Sequence, residues 1–217
     1  MLCAYVGLPG TGKTCAMTYD AIPIIRAGVK VYSNYPIHWK EKKWSKVTEY
    51  KTIFLSPPDF IEAIQYEDNA TFLVDEMNVV FSSYDDAKKL DRGLLNRFAQ
   101  GRKRNLDFFY TSQRFHHSLK RIRDLTNVII ECKKIKFLGL TFFRHIYYNP
   151  TIFDREALFD TPLEQKYILQ KRFVLPWVAS SIFRKYDTNF IVQSSEEFLR
   201  KSAPRQSKNY ELPSIDI

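Results

Sequence analysis

The sequence has 217 residues, of which 45% are hydrophobic and 15% aromatic. That is enough apolar material for one domain, or one domain with an appendage, and it excludes a disordered chain. The formal net charge of +9 points to a polyanionic partner such as nucleic acid, or to an anionic membrane surface, against the plainer reading of a basic solvated surface.

Leu2–Val6 reads as a buried strand. Gly7-Leu8-Pro9-Gly10-Thr11-Gly12-Lys13-Thr14 follows it and satisfies G-x-x-x-x-G-K-[ST] at every fixed position. Gly7, Gly10 and Gly12 let the backbone fold tightly, so that N–H groups from Pro9's neighbours and Thr11 converge on an anion. The helix that starts there adds its positive end. Lys13 suits the β- and γ-phosphates of ATP, and the Thr14 hydroxyl suits Mg²⁺. Cys15 borders the loop and reads as a small buried apolar residue. Cys3, Cys15 and Cys132 are widely spaced, with no C-x-x-C, so neither a disulfide framework nor a zinc site is expected. A reducing, intracellular compartment follows.

The pattern continues with a helix over 14–26, in which Pro23 predicts a kink or an early end. A strand at Val29–Ser33 and a turn at Asn34–Pro36 come next. Residues 38–51, rich in Lys and Trp, read as a surface excursion, and Thr52–Leu55 as a third strand. Ser56-Pro57-Pro58-Asp59 opens a helix through Tyr66. Thr71–Val74 is a strongly apolar strand ending in Asp75-Glu76. An amphipathic helix spans Asp85–Gln100, with Ala87, Leu90, Leu94, Leu95 and Phe98 on its buried side. Leu106–Thr111 is another strand, and Gln113 lies just past its end. A basic segment, 114–123, precedes a strand at Val128–Cys132. Ile135–Leu138 and Leu140–Tyr148 suggest a hairpin around Gly139. Further on, Leu163–Phe173 reads as helix, Phe190–Val192 as a last short strand, and the chain from Ser202 as a mobile tail.

Alternating strands and helices predict an α/β fold: a mostly parallel central sheet with helices on both faces. Residues 1–150 form the expected core, 151–201 an extension packed on it, and 202–217 a flexible tail. No secretory leader is expected. No apolar run approaches the roughly 20 residues that cross a bilayer. Phe173–Phe183 is the nearest, and it contains Pro176 and two serines. A soluble protein is expected.

In such a sheet, ligands collect at the carboxyl ends of the strands. The phosphate loop, Asp75, Glu76 and Gln113 all fall there. Asp75 suits support of Mg²⁺, and Glu76 suits taking a proton from, or orienting, the water that attacks the γ-phosphate. Gln113 could bridge that water or the γ-phosphate to the sheet, or could be a strand-end residue facing solvent. Arginines that could complete a neighbouring subunit's site are Arg97, Arg102 and Arg104, with Arg121 and Arg123 behind them; nucleic-acid contact or solvation is the alternative for each. Basic residues at 102–104, 114–123 and 133–136, interleaved with Phe108, Phe109, Tyr110 and Phe115, suit a surface that grips a phosphate backbone without reading sequence.

Taken in order, the phosphate loop, Tyr32-Ser33-Asn34 within Val29–Ile37, Phe72-Leu73-Val74-Asp75-Glu76-Met77-Asn78 and Leu94–Gln113 resemble the FtsK–HerA superfamily of DNA-pumping ATPases. The likeness is to its zonula occludens toxin-like branch and to viral genome-packaging ATPases, and it spans about residues 1–132. It implies a RecA-like P-loop NTPase fold, Mg²⁺-dependent ATP hydrolysis, double-stranded DNA as partner, and a ring oligomer, a hexamer by the family's habit. Arginine-finger positions vary in that superfamily, so the resemblance assigns none of Arg102, Arg104 or their neighbours. Filamentous-phage members carry a membrane-spanning segment after the ATPase domain, and this sequence shows none. That departure favours the packaging motor of an icosahedral virus, in the host cytoplasm or with the virion, touching capsid or membrane proteins. The alternatives are a filamentous-phage-type assembly ATPase or toxin-like protein, a small nucleoside or nucleotide kinase (114–123 could be mistaken for its Arg-rich lid), a membrane-associated assembly or adaptor protein that binds nucleotide only structurally, and another nucleic-acid ATPase such as a helicase-like protein.

Overall fold

Continuous apolar runs between turn residues produce strands buried on both faces, and this fold is built around five of them. The structure, a computed structural model, describes residues 1–80, 92–118, 120–150, 168–190 and 192. An eight-stranded sheet comprises β1 (Leu2–Val6), β2 (Lys30–Ser33), β5 (Ile53–Phe54), β6 (Ala70–Val74), β7 (Leu106–Ser112), β8 (Val128–Phe137), β9 (Leu140–Tyr148) and β10 (Ile168–Val174), in the order β10-β9-β8-β1-β7-β6-β2-β5. The run from β8 through β5 is parallel, and β9 and β10 add to its edge antiparallel. The sheet is therefore mostly parallel, as the alternating pattern predicts, and the fold is of the RecA-like P-loop NTPase kind.

Side-chain alternation divides the core between the two faces. Leu2, Ala4 and Val6 of β1 join one cluster, and Cys3 and Tyr5 the other. The first cluster takes Phe60 and Ile64 of α2 (Pro57–Tyr66), Met77 and Val80 of α3 (Met77–Val80), Phe98 of α4 (Arg92–Ala99) and Ile122 of α5 (Lys120–Leu125). The second takes Met17, Ala21 and Ile25 of α1 (Lys13–Arg26) with Ala179 and Ile182 of α6 (Pro176–Phe183).

A polar clamp fixes α1 to the antiparallel edge. Asp20 accepts hydrogen bonds from the hydroxyls of Tyr5 at 2.9 Å and Tyr147 at 3.1 Å, and from the Arg172 guanidinium. That guanidinium also lies over the rings of Tyr19 and Tyr147, at 4.8 and 5.1 Å. The helix that leads out of the phosphate loop is thus held to β9 and β10 as well as to β1.

Several elements depart from the sequence reading. Residues 38–51 are a two-stranded hairpin, β3 (His38–Lys43) with β4 (Lys46–Lys51), anchored by the buried Trp39 stacked on Tyr50. The stretch read as helix over 163–173 is a strand from Ile168 on, because it pairs with β9, and 163–167 lie outside the described residues. Neither Phe190 nor Val192 is in a strand. Helix α1 passes Pro23 and runs to Arg26 without ending early. Residues 85–91 of the long amphipathic helix, and the tail from 202, lie outside the described residues.

Candidate nucleotide site

The loop between β1 and α1 needs backbone shapes that only glycine takes freely. Gly7 has φ 152°, and a Cβ there would lie 2.5 Å from the Cys132 carbonyl oxygen of β8. Gly12 caps α1 at φ 83°, and a Cβ there would meet the Phe143 ring of β9 at 2.6 Å. The loop is therefore pressed against the two strands beside it. Thr11 closes it, donating from its backbone N–H at 3.3 Å and its hydroxyl at 2.7 Å to the Leu8 carbonyl. The buried Lys13 ammonium donates to the same carbonyl at 3.2 Å. Cys15 is fully buried, and burial pushes its thiol up to about 12, so it stays a neutral packing group.

The acidic end of β6 meets this loop. The Thr14 hydroxyl donates to both Asp75 carboxylate oxygens, at 2.9 and 3.1 Å, and the Thr111 hydroxyl of β7 donates to one at 2.7 Å. Asn34, just after β2, pairs with the Asp75 backbone in both directions, each bond 2.8 Å. One helix and one strand thus hold the carboxylate, and the residue after β2 holds the backbone that carries it. Burial raises the Asp75 pKa from its ordinary 3.8, opposed by the Thr111 and Thr14 hydroxyls and the Lys13 charge. Glu76 turns out of the strand at φ 48°, its N–H held by the Thr111 oxygen at 2.8 Å. Burial, then the Asp75 charge, raises its pKa from 4.5, and Lys13 pulls it back.

Lys13, Thr14, Asp75 and Glu76 all line one cavity of 630 Å³, together with Gly10 and Gly12. Its far wall comes from α6 and the segment after it. Gln113 follows β7 at the same edge of the sheet and is exposed. Arg102 and Arg104 are placed elsewhere. They sit in the turn before β7, at the amino edge of the sheet, a strand's length of about 20 Å from the carboxyl edge that carries the cavity. Arg104 pairs there with Asp68 at 3.3 Å, and Arg97 with the same carboxylate at 3.1 Å.

Asn34, Thr111 and α6 border the site without a local sequence pattern that marks them for it. Tyr32-Ser33-Asn34 was visible as part of a family likeness. Thr111 had no signal of its own, since its use depends on β7 lying beside β6. Among the described residues, no group of three or more His, Cys, Asp and Glu forms a metal cage. The Thr14 hydroxyl and the Asp75 carboxylate are hard oxygen donors brought within hydrogen-bond distance of each other beside a phosphate cradle. That set suits Mg²⁺, which takes one or two protein oxygens and completes its shell with phosphate and water.

Fold and site together define a P-loop NTPase. The chain belongs to the zonular occludens toxin (Zot) family, whose profile matches residues 1–175, and through it to the FtsK–HerA type of P-loop ATPase. No curated protein matches the chain significantly. Among solved structures, the N-terminal domain of zonular occludens toxin from Neisseria meningitidis is similar at 16% identity and a TM-score of 0.52, covering 86% of this chain and 98% of that one. The genome packaging NTPase B204 from Sulfolobus turreted icosahedral virus 2, in complex with sulfate, is similar at 11% identity and a TM-score of 0.50, covering 81% and 96%. The same protein in complex with ATP-gammaS aligns at 12% identity and a TM-score of 0.47, covering 70% and 93%. These likenesses are of fold. Among the described residues, no helix is long and apolar enough to cross a membrane.

Proposed function

We propose that this chain hydrolyses ATP with Mg²⁺ and couples hydrolysis to movement of double-stranded DNA, in the packaging or assembly of a virus. A ring of copies, six by the family's habit, is part of the reading. The observation that carries it is the meeting of Lys13 and Thr14 with Asp75 and Glu76 around one cavity. The B204 likeness supports the viral setting, since that protein is a genome packaging NTPase.

The roles follow from the positions. Backbone N–H groups of the loop and the start of α1 receive the phosphates. Lys13 neutralises charge on the β- and γ-phosphates. Thr14 and Asp75 hold Mg²⁺, which supplies charge stabilisation to the phosphates when bound. Asn34 and Thr111 keep the Asp75 carboxylate aimed. Glu76 accepts a proton from the attacking water as the bond between the γ-phosphorus and the bridging oxygen breaks. Gln113, at the same edge, relays the state of the γ-phosphate to β7. Arg102 and Arg104 reach no phosphate within their own subunit, so any part they play is toward DNA or a neighbouring copy.

The test is ATP turnover by the full chain with and without double-stranded DNA, and with nucleosides or nucleotides as acceptors. Hydrolysis stimulated by DNA supports the motor; turnover only with a small acceptor makes the chain a kinase instead. Glu76→Gln is expected to cut turnover by about 10²–10⁴-fold while ATP still binds. Lys13→Ala is expected to lose binding as well. A Glu76→Gln protein that hydrolyses ATP at the original rate removes the assigned base.

A further inference from the structure

The β8–β9 hairpin outruns the sheet that carries it. Strand β1 pairs with β8 only as far as Glu131, and β10 pairs with β9 only between Tyr148 and Phe143. Residues 135–142 therefore pair with each other and with no third strand. The pairs Ile135 with Phe142, Lys136 with Thr141 and Phe137 with Leu140, closed by the turn at Leu138-Gly139, make a free ribbon about 10 Å long. Its end is apolar and open: Phe137, Leu138 and Leu140 are 63%, 84% and 51% exposed. The turn itself favours Asn or Asp at 138, where φ is 47°. An exposed apolar residue standing alone needs no explanation, but three together at the end of a projecting ribbon form a patch. Phe173, Leu175 and Trp177, which come off the end of β10 beside the base of the ribbon, are exposed as well. Positive charge stands behind the apolar end. Lys136 and Lys134 lie one and three pairs back from Phe137 and Leu140, on the opposite face, and both are exposed. Lys133 is bound to Glu131 at 2.7 Å, while Lys134 and Lys136 meet no acid among the described residues.

We propose that the end of this ribbon inserts into the surface of an anionic lipid bilayer. Along the ribbon the order is aliphatic and aromatic side chains first, then lysines. A bilayer met tip-first matches that order, with the acyl boundary around the tip and the anionic headgroups behind it. An interfacial element buries its apolar side about 5–10 Å deep, which is the length of the free ribbon. Phe137, Leu138 and Leu140 then leave water. Lys136 and Lys134 stand at headgroup level, where each ammonium gains from the negative surface and each alkyl stem bends along the apolar layer. A DNA backbone would engage the same lysines and leave the three apolar side chains in water, so it is the apolar end that points to lipid. The proposal stands on the hairpin alone and is independent of how the chain uses nucleotide.

Co-sedimentation of the full chain with vesicles tests it. One set of vesicles is phosphatidylcholine alone, and the other is phosphatidylcholine mixed equally with phosphatidylglycerol. The chain is expected to bind the mixed vesicles at least about tenfold more tightly than the neutral ones. Leu138→Asn is expected to weaken that binding by about tenfold, the scale of one leucine returned to water. Because asparagine suits the turn, this loss would not come from a weakened fold. Should that protein fail to fold, Leu140→Thr, on the facing strand, gives the same comparison. Lys134→Gln with Lys136→Gln is expected to weaken binding to the mixed vesicles by about twentyfold, at about fivefold for each lysine. Equal binding to both kinds of vesicle, or binding to neither, overturns the proposal. So does binding to the mixed vesicles that Leu138→Asn and Leu140→Thr leave unchanged, since the basic surface alone would then account for it. Self-association weakened by these two substitutions, without vesicle binding, gives the ribbon to a second copy and overturns the proposal. DNA binding weakened by them, without vesicle binding, gives it to nucleic acid and overturns the proposal equally.

Discussion

Asp75 is held by two hydroxyls and its own backbone pairing with Asn34, yet burial still raises its pKa. A carboxyl whose folded pKa is raised holds its proton more tightly when folded. Its ionisation therefore lowers stability as pH rises from 3.8 through the raised value, and the loss persists at neutral pH. Without nucleotide or Mg²⁺, Asp75→Asn should unfold at higher denaturant concentration than the unaltered chain at pH 7, since the Thr14 and Thr111 hydroxyls can accept from the amide. The same substitution should abolish turnover. A lower denaturation midpoint would show that the hydroxyls already compensate the charge. Glu76 gives a kinetic counterpart. A general base works only when deprotonated, so turnover should fall as pH drops through its raised pKa. The acid limb of the kcat profile should lie above pH 4.5, because burial and Asp75 both push Glu76 upward. A limb at or below 4.5 would assign it to another carboxylate.

At the scale of elements, the β8–β9 hairpin shows a conflict within its turn. Leu138 and Gly139 form a two-residue loop with φ of 47° and 75°. Such turns favour Asn or Asp before Gly, because a branched apolar residue strains in the left-handed region. Leu138 is also 84% exposed, so it gains no burial there. Leu138→Asn should raise stability by about 0.5–1 kcal/mol, measured by chemical denaturation. Stability that does not change would mean the leucine is supported by contacts the turn geometry hides. The same hairpin shows what the sequence made legible. β9 and the turn at Gly139 were readable, as were β1, β6 and β7, but β8 read as two pieces, Val128–Cys132 and Ile135–Leu138, because Lys133 and Lys134 interrupt the apolar run of what is one strand. Strand β10 was not. It is an edge strand whose Leu169 and Phe173 stay exposed, so its apolar residues do not alternate and the segment mimics a helix. In the candidate site, Lys13 and Thr14 were legible from the G-x-x-x-x-G-K-[ST] spacing, and Asp75 and Glu76 because they follow an apolar strand. Asn34 and Thr111 acquire their roles only from the order β7-β6-β2, and α6 only from a fold-back over more than a hundred residues, neither of which local pattern encodes.

For the whole molecule, a net charge of +9 is an argument about partners rather than about the fold. Its distribution sharpens that argument. The β3–β4 hairpin stands outside the main sheet and exposes Lys40, Lys42, Lys43, Lys46 and Lys51. Its two acidic residues are already engaged, Glu41 by Arg26 and Trp39, Glu49 by His38 at 2.8 Å. Glu49 also faces Lys40 across the hairpin and interacts with Lys40 and Lys51, so the excess of positive charge gathers at the turn end, at Lys42, Lys43 and Lys46, remote in sequence from Lys13 and Asp75. If the chain holds duplex DNA by its backbone, binding should be insensitive to sequence and should weaken steeply with salt, because each phosphate contact releases condensed counterions. Between 50 and 200 mM salt the affinity should fall by about a hundredfold or more, with a log–log slope near 0.9 per phosphate contacted. Converting Lys40, Lys42, Lys43 and Lys46 to Ala together should flatten that slope and weaken binding, while ATP turnover without DNA stays as before. A slope unchanged by the four substitutions would move the DNA contact off this hairpin, and binding indifferent to salt would remove the phosphate backbone as the ligand altogether.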